Sequence, residues 1–381
     1  MLLQNRKHDV KILLVARWPV GGIKTYLRYI YGSPIFRETE IDLIAPAEDL
    51  AEFLETQLPS NRIQLLPVKG DGKSIRSRLR EALAEGNYDL VHSHGFSASF
   101  FVQQVMCVRK TPHIMTAHDV FLPNTFDGFS GLCKKIAMRW LLGSVSQVLS
   151  VSEDARKNIF EYFPGLRAEQ VKNITNGIDT DFFAKGTVRS FREELSLGDR
   201  PIIGFFGRFM AQKGFRQIVQ AIEILVKKSP VSVKPIVLTF GWGGFIREDF
   251  SLIEAKGLKD YFIQLPGTND MPAAIRGVDL VVMPSRWEAC PLLPMEVLSC
   301  GVPMIGTDCV GLREVLAGTP AKVVSVGNAE QLAAAISAQL LEGSAQFIEY
   351  QPLALKRFSA DEHARTLHDL YHKISGASAH V

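Results

Sequence analysis

Glu288 and Glu296 lie in the stretch PSRWEACPLLPMEVLSCGVPMIGTD, residues 284–308, with seven residues between them. Paired carboxylates at that distance can accept hydrogen bonds from the hydroxyls of one ligand. They fit solvated or helix-capping groups equally well. Upstream, Arg208 and Lys213 share the glycine-bounded turn GRFMAQKG, residues 207–214. Two cations at a helix entry make a diphosphate cradle, the guanidinium gripping as a fork and the ammonium as a point charge. An exposed basic loop is the alternative. His118-Asp119 offers an acid–base or hydrogen-bonding pair. His92 and His94 alternate along DLVHSH and so face one side, but a metal needs a third ligand and none has the usual spacing.

These side chains need elements to hold them. Short apolar runs alternate with amphipathic helical stretches from end to end, which predicts α/β architecture with parallel sheets. Asp279–Met283 reads as a buried strand ending at Pro284, followed by a helix that Pro291 and Pro294 open and Gly301 stops, then a strand Val302–Gly306. Glu288 therefore falls in the loop at a strand's carboxyl end, and Glu296 about one turn into the next helix. Open α/β sheets bind ligands there. Strand Pro201–Phe206 places Arg208 and Lys213 likewise, and strand Pro112–Thr116 places His118. The first strand, Lys11–Val15, runs into Gly21-Gly22 at a turn where backbone can approach a ligand. Gly241 to Gly244 and Pro266-Gly267 follow further strands and could receive a planar base, although tight turns explain them as well.

Three further stretches read as structural. KSIRSRLR, 73–80, predicts a solvated basic helix face, with contact to anionic lipid or an acidic glycan as the alternative. GLCKKIAMRWLL, 131–142, predicts a helix that covers a sheet with its apolar side. Residues 179–196 read as a polar interdomain linker, and the Asp179-Thr-Asp181 within it as structural rather than metal-binding.

With 381 residues the chain is long enough for two domains. The hydrophobic share of 46% and the charged share of 22% are ordinary for a globular protein, and a net charge of +3 argues against a nucleic-acid partner. The five cysteines have no metal-ligand spacing and read as small core residues of a reducing compartment. No apolar run has the length of a membrane span, and the opening MLLQNRKHDVKILLV lacks a signal peptide's cleavage site.

In this order the pieces resemble glycosyltransferase family 4, the retaining GT-B enzymes that use nucleotide-sugar donors. The resemblance runs through Gly21-Gly22, VHSHG (91–95), TAHD (116–119), VSE (151–153), NGID (176–179), FGRFMAQKG (206–214), the glycine turn 241–244, the stretch 284–307 and GLRE (311–314). It implies two Rossmann-like domains facing a cleft: 1–184 on the acceptor side, 185–359 on the donor side, and a crossover helix, 360–381, returning to the first. It also implies roles. Arg208 and Lys213 hold the donor diphosphate, Glu296 takes the ribose hydroxyls and Glu288 contacts the donor sugar. The amides of Leu292 and Leu293 meet a phosphate oxygen. His118 reaches the donor sugar, Gly21 and Gly22 admit a phosphate or acceptor, and Gly241 belongs to the base-binding turn. Ala289-Cys290-Pro291 stands where many members have Gly-Phe-Gly, and Pro291 removes one amide from that loop.

The expected function is transfer of a hexose from a UDP or GDP sugar to a glycan or lipid-linked acceptor in polysaccharide biosynthesis. No cofactor and no metal are expected, and the expected setting is cytoplasmic with peripheral contact at the inner face of the membrane. A catalytically silent nucleotide-sugar binder and a GT-B sugar-nucleotide epimerase stay open as alternatives.

Overall fold

A computed structural model of the chain describes residues 10–19, 21–48, 50–58, 63–228 and 234–378. Residues 1–9, on which the reading of the opening segment partly rests, lie outside them. The chain divides into two compact units, one of residues 1–177 with 360–381 and one of residues 178–359.

The first unit is built on a seven-stranded sheet. Its strands are β1 (Lys11–Ala16), β2 (Glu40–Pro46), β3 (Ile63–Val68), β4 (Leu90–His94), β5 (His113–Ala117), β6 (Gln147–Ser150) and β7 (Val171–Asn173), in the spatial order β3-β2-β1-β4-β5-β6-β7. Every pairing is parallel. β4 and β5 are buried along their whole length, as expected of central strands covered by helices on both faces. Ile75, Leu79 and Ala82 of helix Gly72–Glu85 pack on Leu13, Val15 and Val91. The polar face of that helix is solvated, with Arg78 paired to Glu81 and Glu85. The last helix, Ala360–Ser378, belongs to this unit and buries Tyr371 in it.

The second unit carries β8 (Ile202–Phe206), β9 (Ile236–Phe240), β10 (Phe262–Leu265), β11 (Leu280–Met283), β12 (Met304–Thr307) and β13 (Lys322–Val324). Their order is β10-β9-β8-β11-β12-β13, again all parallel. Ile218, Val219 and Ile222 of helix Phe215–Lys228 pack on Ile203 and Phe205, and helix Ala329–Glu342 adds Leu332 and Ile336 to the same core.

Residues 179–196 belong to the second unit and are not irregular throughout. Asp179 caps a short helix, Thr180–Ala184, by accepting from the Phe182 amide at 3.1 Å, and a second short helix runs over Phe191–Glu194. Phe183 and Phe191 are fully buried in the second unit. Each contributes about 1.5–3 kcal/mol by leaving water, which overrides the polar composition around it. The cysteines also differ from expectation: Cys290, Cys300 and Cys309 are buried, whereas Cys107 and Cys133 are exposed. Among the described residues, no helix is long and apolar enough to cross a membrane.

Candidate active site

In each sheet the order of crossing reverses once. In the second unit β8 is flanked by β9 on one side and β11 on the other, so the loops leaving β8 and β11 diverge and open a crevice beyond their carboxyl ends. The β8 loop carries Arg208 and Lys213, and the β11 loop carries Glu288 and leads to Glu296.

Backbone contacts fix these loops against each other. Gly214 has φ +68° and a Cβ there would stand 1.9 Å from Pro284 O, so only glycine lets the Lys213 turn lie on the β11 loop. The Arg286 amide donates to Gln212 O at 2.7 Å, and Gln212 Nε2 donates to Trp287 O at 2.9 Å. Lys213 Nζ then meets Glu288 Oε1 at 2.6 Å, and Ser285 Oγ donates to the same oxygen at 2.7 Å. With Oε1 doubly engaged, the largely buried carboxylate has Oε2 left to accept from a hydroxyl. Gly311, at φ +76°, closes the other flank. A Cβ there would strike Glu288 O and Ala289 O at 2.5 Å, and the Glu288 amide donates to Val310 O at 3.2 Å.

Arg208 is half-buried and its backbone is clamped. Gly207 N donates to Phe240 O at 3.1 Å and Phe209 N to Trp242 O at 3.0 Å. Among the described residues no carboxylate pairs with its guanidinium, so its charge is available to an anion. Gly241 allows this close packing, because a Cβ there would lie 2.0 Å from Gly207 O. Backbone approach therefore accounts for the glycine turn, which leaves the Trp242 ring exposed.

Glu296 lies in the first turn of helix Leu293–Ser299 and is buried. First-turn amides have no partner within a helix. Pro291 and Pro294 have no N–H, so the donors left at this entry are Leu292 and Leu293, both half-buried, and the buried Met295 behind them. Burial pushes the thiols of Cys300 and Cys309 up to about 12 and about 11, which removes them as nucleophiles near neutral pH.

In the first unit the reversal falls between β1 and β4. Gly21, at φ +55°, and Gly22 follow β1, and a Cβ at either would meet nothing within 4 Å, so the turn has open space beside it. His92 and His94 close β4 with their rings stacked 4.5 Å apart. His94 Nδ1 is hydrogen-bonded to His118 Nε2 at 3.0 Å, and the Tyr26 ring stands edge-on to His118 at 5.0 Å. Behind them lies a buried polar chain. Tyr31 and Tyr371 share a hydrogen bond at 2.7 Å, His92 Nδ1 is bonded to the Tyr371 hydroxyl, and His92 Nε2 meets Thr116 Oγ1 at 2.7 Å. His363 Nδ1 faces the Thr175 carbonyl at 2.9 Å and must donate to it, so in the neutral ring Nε2 accepts from the Tyr26 hydroxyl at 2.8 Å.

The neutral state of these rings follows from burial. Desolvation, with the neighbouring imidazoles adding repulsion, holds His92 and His94 well below the ordinary histidine value. It brings His118 to about 3 and His363 to about 4. At neutral pH His118 is therefore an uncharged ring, able to donate or accept a hydrogen bond. Asp119 accepts from the Val120 amide at 2.9 Å. Among the described residues, no three His, Cys, Asp or Glu side chains are arranged to hold a metal.

Within the second unit, then, the structure joins Lys213 to Glu288. Within the first, it joins His118 to His94 and Tyr26. Ser285, which orients Glu288 from three residues away, was open to detection from local spacing. Tyr371 and His363 were not, because their partners lie 340 and 337 residues distant.

Similarity to known proteins agrees with this geometry. The pattern described as Glycosyltransferase Family 4 matches residues 20–182, and that of Glycosyl transferases group 1 matches residues 200–342. The chain is 25% identical over 306 residues to a D-inositol 3-phosphate glycosyltransferase of Corynebacterium urealyticum, covering 76% of this chain and 72% of that one. It is also 25% identical over 276 residues to the alpha-D-kanosaminyltransferase of Streptomyces kanamyceticus, covering 68% and 69%. Among solved structures, HepE of Anabaena in complex with UDP-glucose superposes with a TM-score of 0.82 at 19% identity, over 94% of this chain and 98% of that one. Sucrose-phosphate synthase of Thermosynechococcus elongatus gives 0.79 at 18%, over 97% and 100%. The structural likenesses establish the GT-B fold, and with both family patterns matched, the chain belongs to glycosyltransferase family 4 of the group 1 glycosyl transferases.

Proposed function

We propose that the protein is a retaining hexosyltransferase that moves a sugar from a nucleoside diphosphate sugar to a hydroxyl of a glycan or lipid-linked acceptor, in polysaccharide assembly on the cytoplasmic side of a membrane. The observation that carries this reading is the β8–β11 crevice. There Arg208, which has no carboxylate partner among the described residues, stands on the loop that also holds Lys213 against Glu288. In this reading Arg208 and Lys213 grip the diphosphate, with the Leu292 and Leu293 amides on a phosphate oxygen. Glu296 accepts from the ribose hydroxyls, Glu288 Oε2 accepts from a donor-sugar hydroxyl, and the Gly241 turn borders the base. His118 hydrogen-bonds the sugar as a neutral ring, and the turn at Gly21 and Gly22 admits the acceptor or a phosphate.

The bond from the anomeric carbon to the diphosphate oxygen breaks as the acceptor oxygen bonds that carbon. The acceptor proton passes to the departing phosphate on the same face. Two fixed cations offset the charge that develops on the leaving group, so the reaction as drawn needs neither a protein base nor a metal. A uridine donor is the first choice, supported by the UDP-glucose held by the Anabaena relative in fold.

The test is product analysis with UDP-glucose and related donors and a panel of glycan and lipid-linked acceptors, following the new linkage by proton NMR. Transfer with the donor's anomeric configuration kept is expected. An inverted linkage refutes retention, and an epimerised donor without transfer replaces the reading by a different one.

A further inference from the structure

We propose that the exposed face of helix Gly128–Ser144 seats the first unit on an anionic lipid surface. This deepens the membrane setting proposed above and does not rest on the donor chemistry. The sequence led us to expect that this helix turns its apolar side to a sheet. Only part of it does so: Gly131, Leu141 and Leu142 are buried, and Gly131 sits so close to Phe126 that a Cβ would come within 2.1 Å of its backbone. The helix is thereby anchored, yet a second apolar stripe faces water. Phe129 is 84% exposed, Leu132 53%, Ile136 63% and Trp140 38%. Their steps of three and four residues place them on one side of the helix.

Charge selects the occupant. The helix GFSGLCKKIAMRWLLGS contains no Asp or Glu. Lys134 lies beyond one edge of the stripe at helical spacing, and Lys135 and Arg139 lie beyond the other; all three are exposed. At the carboxyl end, Gln103 Nε2 donates to Ser144 O, and the helix bearing Gln103 leads into Val108, 87% exposed, with exposed Arg109 and Lys110 beside it. Protein interfaces are depleted in lysine. An apolar stripe with an aromatic residue at each end and lysines beyond it is the pattern that lies in a lipid interface and attracts anionic headgroups. A stripe of this length with no carboxylate inside the helix, Asp127 at its N-cap being the acidic neighbour, and with three cations beside it fits an anionic bilayer surface better than a second protein.

The test is sedimentation with vesicles of phosphatidylcholine containing about one third phosphatidylglycerol, against phosphatidylcholine alone. Binding to the anionic vesicles, weakened by added salt, is expected. Replacing both Lys134→Ser and Lys135→Ser removes two headgroup attractions and should weaken binding roughly 30-fold. Phe129→Ser with Ile136→Ser should weaken it at least tenfold through the lost apolar contact. These positions are exposed and remote in sequence from the donor loops, so both variants should keep the wild-type thermal response to nucleotides. That response also separates failure here from failure of the transferase reading. Equal binding to neutral vesicles, no binding to either, or wild-type binding by both variants would overturn the proposal. So would concentration-dependent self-association abolished by Ile136→Ser without vesicle binding, which would assign the face to a second copy.

Discussion

Acidification should loosen the first unit well before carboxylate chemistry does. His113, His118 and His363 are held neutral in the fold, at about 3, about 3 and about 4, and His92 and His94 lie well below their ordinary value. In the unfolded chain each titrates near 6.5. The sign follows directly. Above about pH 6.5 both states are neutral and the stability is fully present. Below it, the unfolded chain takes up protons that the fold refuses until about pH 3–4, and stability is lost throughout that window. At about pH 5 a histidine held near 3 or 4 in the fold has lost about 2 kcal/mol, which is 1.36 kcal/mol for each of about 1.5 pH units. His113 and His363, both buried, together give a loss of several kcal/mol, a large share of a typical domain's stability. The assay is amide exchange at pH 7 and about pH 5, corrected for intrinsic rates. Opening free energies for β4 and β5 should fall by several kcal/mol, while those for β8 and β11 in the second unit, which lack such histidines, should change little. A fall below about 1 kcal/mol in β4 and β5 would refute the claim that these rings are held neutral.

Other perturbations probe the second unit. Lys213→Ala leaves Glu288 with Ser285 as its remaining partner and removes a cation from the leaving group, so turnover should fall roughly 10²–10³-fold with the fold retained; circular dichroism and initial rates check both. Glu296→Ala should raise the donor KM far more than it lowers kcat, because ribose contacts are equally present in ground and transition states. Gly214→Ala forces a side chain onto Pro284 O in a left-handed backbone. It should cost at least about 2 kcal/mol, or about 4–8 °C in the melting of the second unit. His118→Asn keeps a neutral hydrogen-bonding group and should retain more transfer than His118→Ala; a bell-shaped loss in the Asn variant alone would reinstate proton transfer at this position.

The parts of this structure that were legible in sequence are those set by local chemistry. Apolar strand runs, the prolines before Glu296 and the glycines of the Lys213 turn all act within a few residues, and they place the cations and carboxylates at strand ends without knowledge of the tertiary fold. The distance-dependent parts were hidden. Nothing local in YGSPIF or in the last helix announces that Tyr31 and Tyr371 share a hydrogen bond. Phe183, beside Phe182, and Phe191 look like scattered apolar residues in a polar stretch until their pockets are formed. The short strand β13 has only three residues and no period to read. In helix Gly128–Ser144 the sequence indicated one large apolar side, and only burial shows that part of it is left in water.

The central claim is that the β8–β11 crevice holds a nucleoside diphosphate through Arg208 and Lys213. It is tested most directly by thermal shifts with UDP, GDP, ADP, dTDP and CMP on the wild type and on Arg208→Ala. At one hundred times its dissociation constant a ligand stabilises by about 2.7 kcal/mol. One diphosphate should stand out by that amount on the wild type and lose most of its effect on the variant. A wild type unmoved by every nucleotide, or an Arg208→Ala protein that responds as fully as the wild type, would contradict the account.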